Sequence, residues 1–190
     1  MRFCSQCGSA VTTHTVAGEP RNHWYCPTCE QPRYQHPMVV VTSFVAWGQK
    51  LLWVQRAIEP KRGRWAIPGG FLESGEALAA GAARELREEA GVLVDPDAMS
   101  LYMTGTITFI DQVFLGFRAT VDSGAVNPGP ESLAAAFYDR HECPWEDVAY
   151  PEVNDAIRQA YDDLETGRFD VWETQMTPDR YLREMVVKES

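Results

Sequence analysis

No stretch of the 190-residue chain approaches the roughly 18 uninterrupted apolar residues that a membrane-spanning helix needs. That absence argues against a helical membrane protein. The opening residues, Met1-Arg2-Phe3-Cys4, carry neither a signal-peptide pattern nor an amphipathic transit segment. A soluble cytoplasmic protein is therefore expected. Positive charge is scarce: 17 Lys and Arg face 27 Asp and Glu, for a net charge of −10. Broad nucleic-acid surfaces neutralise phosphates with Lys and Arg, so a nucleic-acid partner is not expected. A small anionic substrate stays compatible, because metals and a local basic cluster can reverse the field inside a cleft. Internal repeats and low-complexity segments are missing as well. With 45% apolar residues, the chain can bury one substantial core plus a small appendage.

Cysteine is sparse, yet four of the five stand in two knuckles, Cys4-x-x-Cys7 and Cys26-x-x-Cys29, separated by eighteen residues. That spacing suits a tetrahedral Cys₄ zinc site, with Gly8 and Pro27 in the knuckle turns and room for a short hairpin between. A segment this small cannot fold on core burial alone, so the metal would supply its stability. Such a zinc is structural, since a closed shell leaves no position for water or substrate. Disulfides are the competing reading. His14 and His23 are spare ligands beside a shell that four cysteines already fill. Cys143 stands alone and reads as a packed, unreactive thiol.

Carboxylates crowd one place. After the glycines at 69 and 70, a helical pattern carries Glu85, Glu88 and Glu89, spaced i, i+3, i+4, on one face within about one turn. Three adjacent carboxylates repel one another unless a cation neutralises them, and Mg²⁺ or Mn²⁺ prefers such hard oxygen ligands. A metal-dependent enzyme acting on phosphates is the reading that follows. Ala79, Ala82, Ala83, Leu86 and Ala90 make an apolar stripe on another side, suited to packing on a sheet. Glu76 is expected in the first turn, where the helix dipole favours negative charge. Arg84, about two turns on, can pair with a carboxylate, and Gly91 is placed to end the helix.

Gly70, Glu76, Arg84, Glu85, Leu86, Glu88, Glu89, Gly91 and Val92 match every defined position of the Nudix box. The chain thus resembles the Nudix hydrolases. The resemblance implies attack of water on a phosphorus of a nucleoside diphosphate derivative. It implies Glu85 and Glu89 as principal magnesium or manganese ligands, with Glu88 close by and the Gly69 carbonyl as a further ligand. Glu76 and Arg84 then resemble the orienting salt bridge of the loop-helix-loop. An α/β/α sandwich with a mixed sheet is implied as the fold, preceded here by the zinc ribbon.

The expected organisation is a ribbon over residues 1–33, a linker at 34–37, a Nudix domain over 38–166 and a tail over 167–190. Met38–Trp47 and Leu51–Gln55 read as an antiparallel pair, 100–110 and 112–121 as a long hairpin, and 134–139 as another strand. Residues 151–166 read as a helix with Val153, Ala156, Ile157 and Ala160 on one face. Phe169, Val171, Trp172, Tyr181 and Leu182 make the tail apolar enough to pack on the domain or on a partner subunit. With the family resemblance, this suggests a homodimer.

For the substrate, the loop Glu59-Pro60-Lys61-Arg62-Gly63-Arg64-Trp65 offers Arg62 and Arg64 as phosphate ligands beside Gly70; a solvated surface turn is the plainer alternative. The chain lacks the Ser-Gln-Pro-Trp-Pro-Phe-Pro segment of NADH pyrophosphatases. Over residues 1–155 it is instead similar to the zinc-ribbon ADP-ribose/FAD pyrophosphatases, through Arg56-Ala57-Ile58-Glu59-Pro60, 106–119, Glu131-Ser132 and 144–149. Hydrolysis of ADP-ribose or FAD with release of AMP is thereby implied. NADH, or an NAD-capped RNA end, is the runner-up. A carboxylate must also accept the attacking water's proton, and Glu88, Glu131, Glu142 and Glu146 all stay open. A non-catalytic nucleotide-binding regulator is the reading from another class; the complete box and the absence of a further DNA-binding domain weigh against it.

Overall fold

The computed structural model describes residues 2–16, 18–177 and 180–186. Residues 178–179 and 187–190 of the expected tail lie outside the described residues. Backbone contacts divide the chain into two units, with the boundary between Pro37 and Met38.

The first unit is a three-stranded antiparallel sheet of β1 (Thr12–Thr15), β2 (Asn22–Cys26) and β3 (Gln31–Arg33). Its first knuckle is closed by the Gly8 N–H donating to the Cys4 carbonyl at 2.9 Å, with Gly8 at a φ of 74°. Tyr34 and Gln35, expected as linker, belong to this unit. Tyr34 donates its hydroxyl to Glu19 at 3.0 Å, and Gln35 accepts from the Trp24 indole at 3.1 Å.

The second unit is built on a mixed sheet whose main path runs β10-β5-β4-β9-β8-β11-β12. In chain order the elements are β4 (Met38–Trp47), β5 (Lys50–Arg56), β6 (Trp65–Ala66), β7 (Gly69–Phe71), α1 (Leu78–Ala90), β8 (Ser100–Ile107), β9 (Gln112–Thr120), β10 (Ser132–Tyr138), α2 (Asn154–Thr166), β11 (Trp172–Met176) and β12 (Tyr181–Met185). β4 is central and pairs in parallel with β9 along its whole length, from Met38↔Gln112 to Ala46↔Thr120.

Alternation along β4 and β5 assigns the two faces. Val41, Val45, Leu52 and Val54 pack with the α1 residues Ala82, Leu86 and Ala90. Phe44, Ala46, Leu51 and Trp53 pack with Ala156, Ile157, Ala160 and Tyr161 of α2. Both faces of β4 are covered, so its sequence is apolar at all positions but Thr42 and Ser43 rather than alternating polar and apolar. The arrangement is the expected α/β/α sandwich with a mixed sheet. Among the described residues no helix is long and apolar enough to cross a membrane.

The tail supplies two strands. β11 pairs in parallel with β8, Trp172↔Met103 to Met176↔Ile107, and β12 returns antiparallel beside β11. Met176 is buried in the α2-side core, and Phe169, Trp172 and Tyr181 pack against it. The apolar character of these residues is accounted for within one chain. Cys143 is buried here too, its sulfur 2.9 Å from the Tyr161 hydroxyl, and burial pushes its thiol up to about 11. A thiol so protonated is inert at neutral pH, as expected for a packing role.

Candidate active site

α1 carries the acidic cluster on the face turned away from its alanine stripe. Ala82 and Leu86 are fully buried, and the Ser43 hydroxyl donates to the Ala82 carbonyl at 3.2 Å, holding the helix close on β4. The helix ends at Gly91, whose left-handed backbone places its N–H on the Arg87 carbonyl at 2.9 Å. It begins later than expected: Leu78 is its first residue, Ala77 is extended, and its first turn holds no acid. Glu76 therefore does not meet the dipole from inside the first turn. Its carboxylate instead accepts from the Glu73 N–H at 3.2 Å and from Arg84 at 2.9 and 3.0 Å. The ion pair with Arg84 holds the Glu76 carboxyl below the usual carboxylate range.

Arg84 joins the loop to the helix face. Its Nη2 donates to the Phe71 carbonyl at 3.1 Å, and its Nη1 is shared by Glu85 at 2.7 Å and Glu88 at 3.2 Å. One guanidinium thus faces three carboxylates and cannot neutralise them all. Glu88 is the most exposed of the box glutamates and also meets Arg87 at 3.5 Å.

Glu85 and Glu89 lie inward, against β7. Gly70 makes room for Glu85: a Cβ there would sit 2.5 Å from the carboxylate. Glu89 accepts the Gly69 backbone N–H at 2.9 Å. Burial pushes the Glu89 carboxyl up to about 7; the Gly69 N–H and Arg56 pull it down, while Glu85 and Glu131 push it further up. Glu85 is likewise raised, by burial first, with Arg84 opposing and Glu88 and Glu131 adding. Two inward carboxylates that hold protons too tightly form a donor set suited to a hard divalent cation.

Of the acids left open outside the box, Glu131 is the one whose charge reaches Glu85 and Glu89. The loop that brings it there is fastened to the end of α1. The Asn127 N–H donates to the Ala90 carbonyl at 2.7 Å, and the Gly129 N–H to the Glu89 carbonyl at 3.3 Å. Gly129 has no substitute in this position, because a Cβ would overlap the Glu88 carbonyl. The Glu131 carbonyl then accepts from Ala57 at 2.8 Å. Glu142 pairs with Lys50 at 3.6 Å, at the β4–β5 turn, and the Glu146 carbonyl accepts from Arg64 at 3.3 Å.

The basic side chains divide differently from the sequence reading. Arg64 is engaged by Asp147 at 2.7 Å, and Arg62 is exposed on the loop between β5 and β6. Arg56, which the sequence reading did not single out as a ligand, acts electrostatically on Glu89. Its Nε is tied to the Pro60 carbonyl at 2.9 Å, and its guanidinium lies 5.7 Å from the centre of the Tyr150 ring. A cation ending the strand that leads into the basic loop was the available sequence signal.

In the first unit the four knuckle sulfurs lie within 4.8 Å of one another. Cys7 and Cys26 are 3.5 Å apart and Cys4 and Cys29 4.0 Å, well beyond the ~2.05 Å of an S–S bond, and all four thiols are free. Four converging sulfurs suit a soft, tetrahedral ion and not a pair of disulfides. Burial raises the Cys4 thiol, but the Gln6 and Cys7 backbone donors and neighbouring thiols bring it down to about 6. The spare histidines are used elsewhere: His23 meets Glu19 at 2.6 Å, and His14 packs on the Tyr25 ring.

Comparison with known proteins decides the family. The NUDIX domain model matches residues 36–164. The chain belongs to the NUDIX family. A NUDIX hydrolase from Nitrosomonas europaea has a similar solved structure, at a TM-score of 0.82 and 35% identity, covering 92% of this chain and 99% of that one. The NAD-capped RNA hydrolase NudC of Stutzerimonas stutzeri (strain A1501) is 34% identical over 138 residues, 71% of this chain and 46% of the relative. The ADP-ribose pyrophosphatase of Methanocaldococcus jannaschii is 31% identical over 117 residues, 58% of this chain and 67% of the relative. The chain therefore spans a little under half the length of the NudC relative. Within the NUDIX family, the acidic face of α1 is the box described above.

Proposed function

We propose that the chain hydrolyses the pyrophosphate bond of a nucleoside diphosphate derivative, with ADP-ribose or FAD the first choice and AMP as a product. The observation that carries this reading is the inward pair Glu85 and Glu89, raised in proton affinity and backed by Gly69 and Gly70. Glu85, Glu89, Glu88 and the Gly69 carbonyl would hold Mg²⁺ or Mn²⁺. Such ions supply charge for the phosphoryl oxygens and a more acidic water.

The remaining work falls to the protein's own groups. Arg84 and Glu76 hold the loop on the helix so that the acids keep their spacing. Glu131 accepts a proton from the attacking water, the role its docked loop and its nearness to Glu85 and Glu89 support. Arg56, anchored through Nε, keeps its terminal nitrogens for a phosphate oxygen. Arg62 stays available as a second phosphate ligand from its exposed loop. In the ribbon, Cys4, Cys7, Cys26 and Cys29 would hold a structural Zn²⁺. We place the activity in the cytoplasm, on a small-molecule dinucleotide, in a homodimer.

A second reading takes an NAD-type dinucleotide, free or as an RNA cap, and draws on the 34% identity to the NudC relative. The missing segment after the box favours the first. Chromatography of products from ADP-ribose, FAD and NADH, each with Mg²⁺ or Mn²⁺ and beside Glu89→Gln, separates the two. AMP formed fastest from ADP-ribose or FAD, with an inactive variant, is the expected result. Fastest cleavage of NADH transfers the assignment to the second reading. No cleavage of any of them overturns both and leaves nucleotide binding without hydrolysis.

A further inference from the structure

β12 closes one end of the sheet path and pairs with β11 alone among the described residues. Its five pairs run in unbroken register, from Trp172↔Met185 to Met176↔Tyr181. At the other end, β10 carries a register shift between Ser132 and Ala134, an irregularity that discourages further pairing. β12 has no such shift, and no proline or lysine from Arg180 to Val186 guards it.

The ladder decides which backbone groups of β12 point outward. Thr177 and Arg180 exchange both N–H···O bonds, at 2.9 and 3.4 Å, and the Val186 N–H donates to the Val171 carbonyl at 2.8 Å. Bonded pairs alternate with unbonded ones along an antiparallel ladder. Arg180, Leu182, Glu184 and Val186 therefore turn their N–H and C=O groups toward β11, while Tyr181, Arg183 and Met185 turn theirs away from it. The side chains alternate in the same step. Tyr181 packs on the α2-side core, and the Arg183 guanidinium lies 4.9 Å from the centre of the Trp172 ring. Arg180, Leu182 and Glu184 belong to the opposite face, and all three are exposed, Leu182 by 45%. Neither Arg180 nor Glu184 joins an ion pair among the described residues.

A strand that pairs antiparallel with its own copy has one residue on the two-fold axis, because facing side chains must lie on one side of the sheet. An axis at Arg183 or at Glu184 sets like charges opposite each other, which is destabilising. An axis at Tyr181 or at Met185 forms no charge pair among the described residues. An axis at Leu182 sets Leu182 against Leu182, Arg180 against Glu184 twice, and Tyr181 against Arg183 twice. Tyr181 and Arg183 are residues whose N–H and C=O groups point outward, so these two pairs close four main-chain bonds across the axis. We propose that β12 is the contact of a homodimer, added edge to edge to the same strand of a second copy about a two-fold axis at Leu182. The inference rests on the homodimer reading above, names its surface, and is independent of the substrate. A single added strand covers less than the roughly 1,200–2,000 Å² of stable interfaces, so the pair dissociates on dilution.

Sedimentation equilibrium of the full-length chain over a concentration series tests this. Wild type should pass from the mass of one chain to twice that mass as concentration rises. Glu184→Arg sets arginines opposite each other at two places and should weaken the dimer by about tenfold. The double variant Arg180→Glu/Glu184→Arg restores both pairs with their signs exchanged and should return to within about threefold of wild type. Leu182→Lys places two like charges on the axis and should stay monomeric throughout. All three side chains are exposed, so circular dichroism of every variant should match wild type. A dimer equally strong in Glu184→Arg and Leu182→Lys would overturn the inference and leave the homodimer to another surface. Loss in Glu184→Arg without recovery in the double variant would overturn the axis at Leu182. A wild-type chain that stays monomeric at every concentration overturns the homodimer reading and this inference together.

Discussion

The Gly69 backbone N–H donates to the Glu89 carboxylate at 2.9 Å, across twenty residues of sequence. The bond lowers the carboxyl's proton affinity, yet burial outweighs it and leaves Glu89 titrating near 7. A buried acid held by a single backbone donor, with Glu85 and Glu131 adding negative charge, is poised to exchange its proton for another cation.

This gives a pH dependence with a definite sign. The Glu89 carboxyl is raised from an ordinary value near 4.5 to about 7 in the metal-free fold. In that window the folded state binds more protons than the unfolded state, so stability is full below about 4.5 and declines as pH rises through 7. Denaturant titrations of chelated protein across this range should show the decline. Glu89→Gln should flatten it, and the same variant should lose at least about 100-fold in activity. A parallel slope in the variant would assign the titration elsewhere.

Metal affinity should run the opposite way. A proton on Glu89 competes with the ion, so Mg²⁺ or Mn²⁺ should bind more tightly as pH rises through 7. Calorimetric titration in buffers of different ionisation heat would detect the released proton. Binding that is flat with pH would remove Glu89 from the ligand set.

Among the acids outside the box, Glu131→Gln should lower kcat by about 10²- to 10⁴-fold with KM changed little, the effect of losing a general base. Glu142→Gln and Glu146→Gln should stay within about threefold of wild type, since Glu142 faces Lys50 and only the backbone of Glu146 is engaged. A dead Glu146→Gln with an active Glu131→Gln would reverse the assignment.

Arg56→Ala should raise KM by about tenfold or more, as a charge-assisted bond to phosphate is worth about 1.5–3 kcal/mol. Arg64→Ala, which loses only an exposed pair with Asp147, should change KM little. Steady-state kinetics on one dinucleotide suffice, and equal effects of the two variants would count against Arg56 as the phosphate ligand.

Arg84→Ala should destabilise the fold by about 3 kcal/mol, because removing the cation strands Glu76, half-buried, beside Glu85. Thermal unfolding should drop by about 6–12 °C for a chain of this size. A smaller shift would place the Arg84 network nearer the surface-pair regime.

The local part of this architecture was legible in the sequence. The i, i+3, i+4 glutamates, the alanine stripe and the apolar β4 each follow from spacing within a few residues, and each takes its expected place. Glu76 was expected inside the first turn but stands two residues before the helix, where its carboxylate answers Arg84. What could not be read was non-local. Nothing near Trp172 says that it pairs with Met103 in parallel, and nothing near Glu131 separates it from Glu142. Gly129 looks like any loop glycine until the Glu88 carbonyl is set against it. Arg56 and Arg64 have similar local surroundings, and only the fold turns one toward Glu89 and the other toward Asp147.

The final carbonyls of a helix have no partners inside it. Two of those in α1, on Glu89 and Ala90, are answered by Gly129 and Asn127 from a segment almost forty positions further along. Those bonds cannot form until the helix has its last turn and the later loop has arrived. The acid carried by that loop thus joins its neighbours only once the chain has grown past residue 131. A shorter molecule carries the three glutamates of the helix face, yet lacks the fourth carboxylate that comes to meet them.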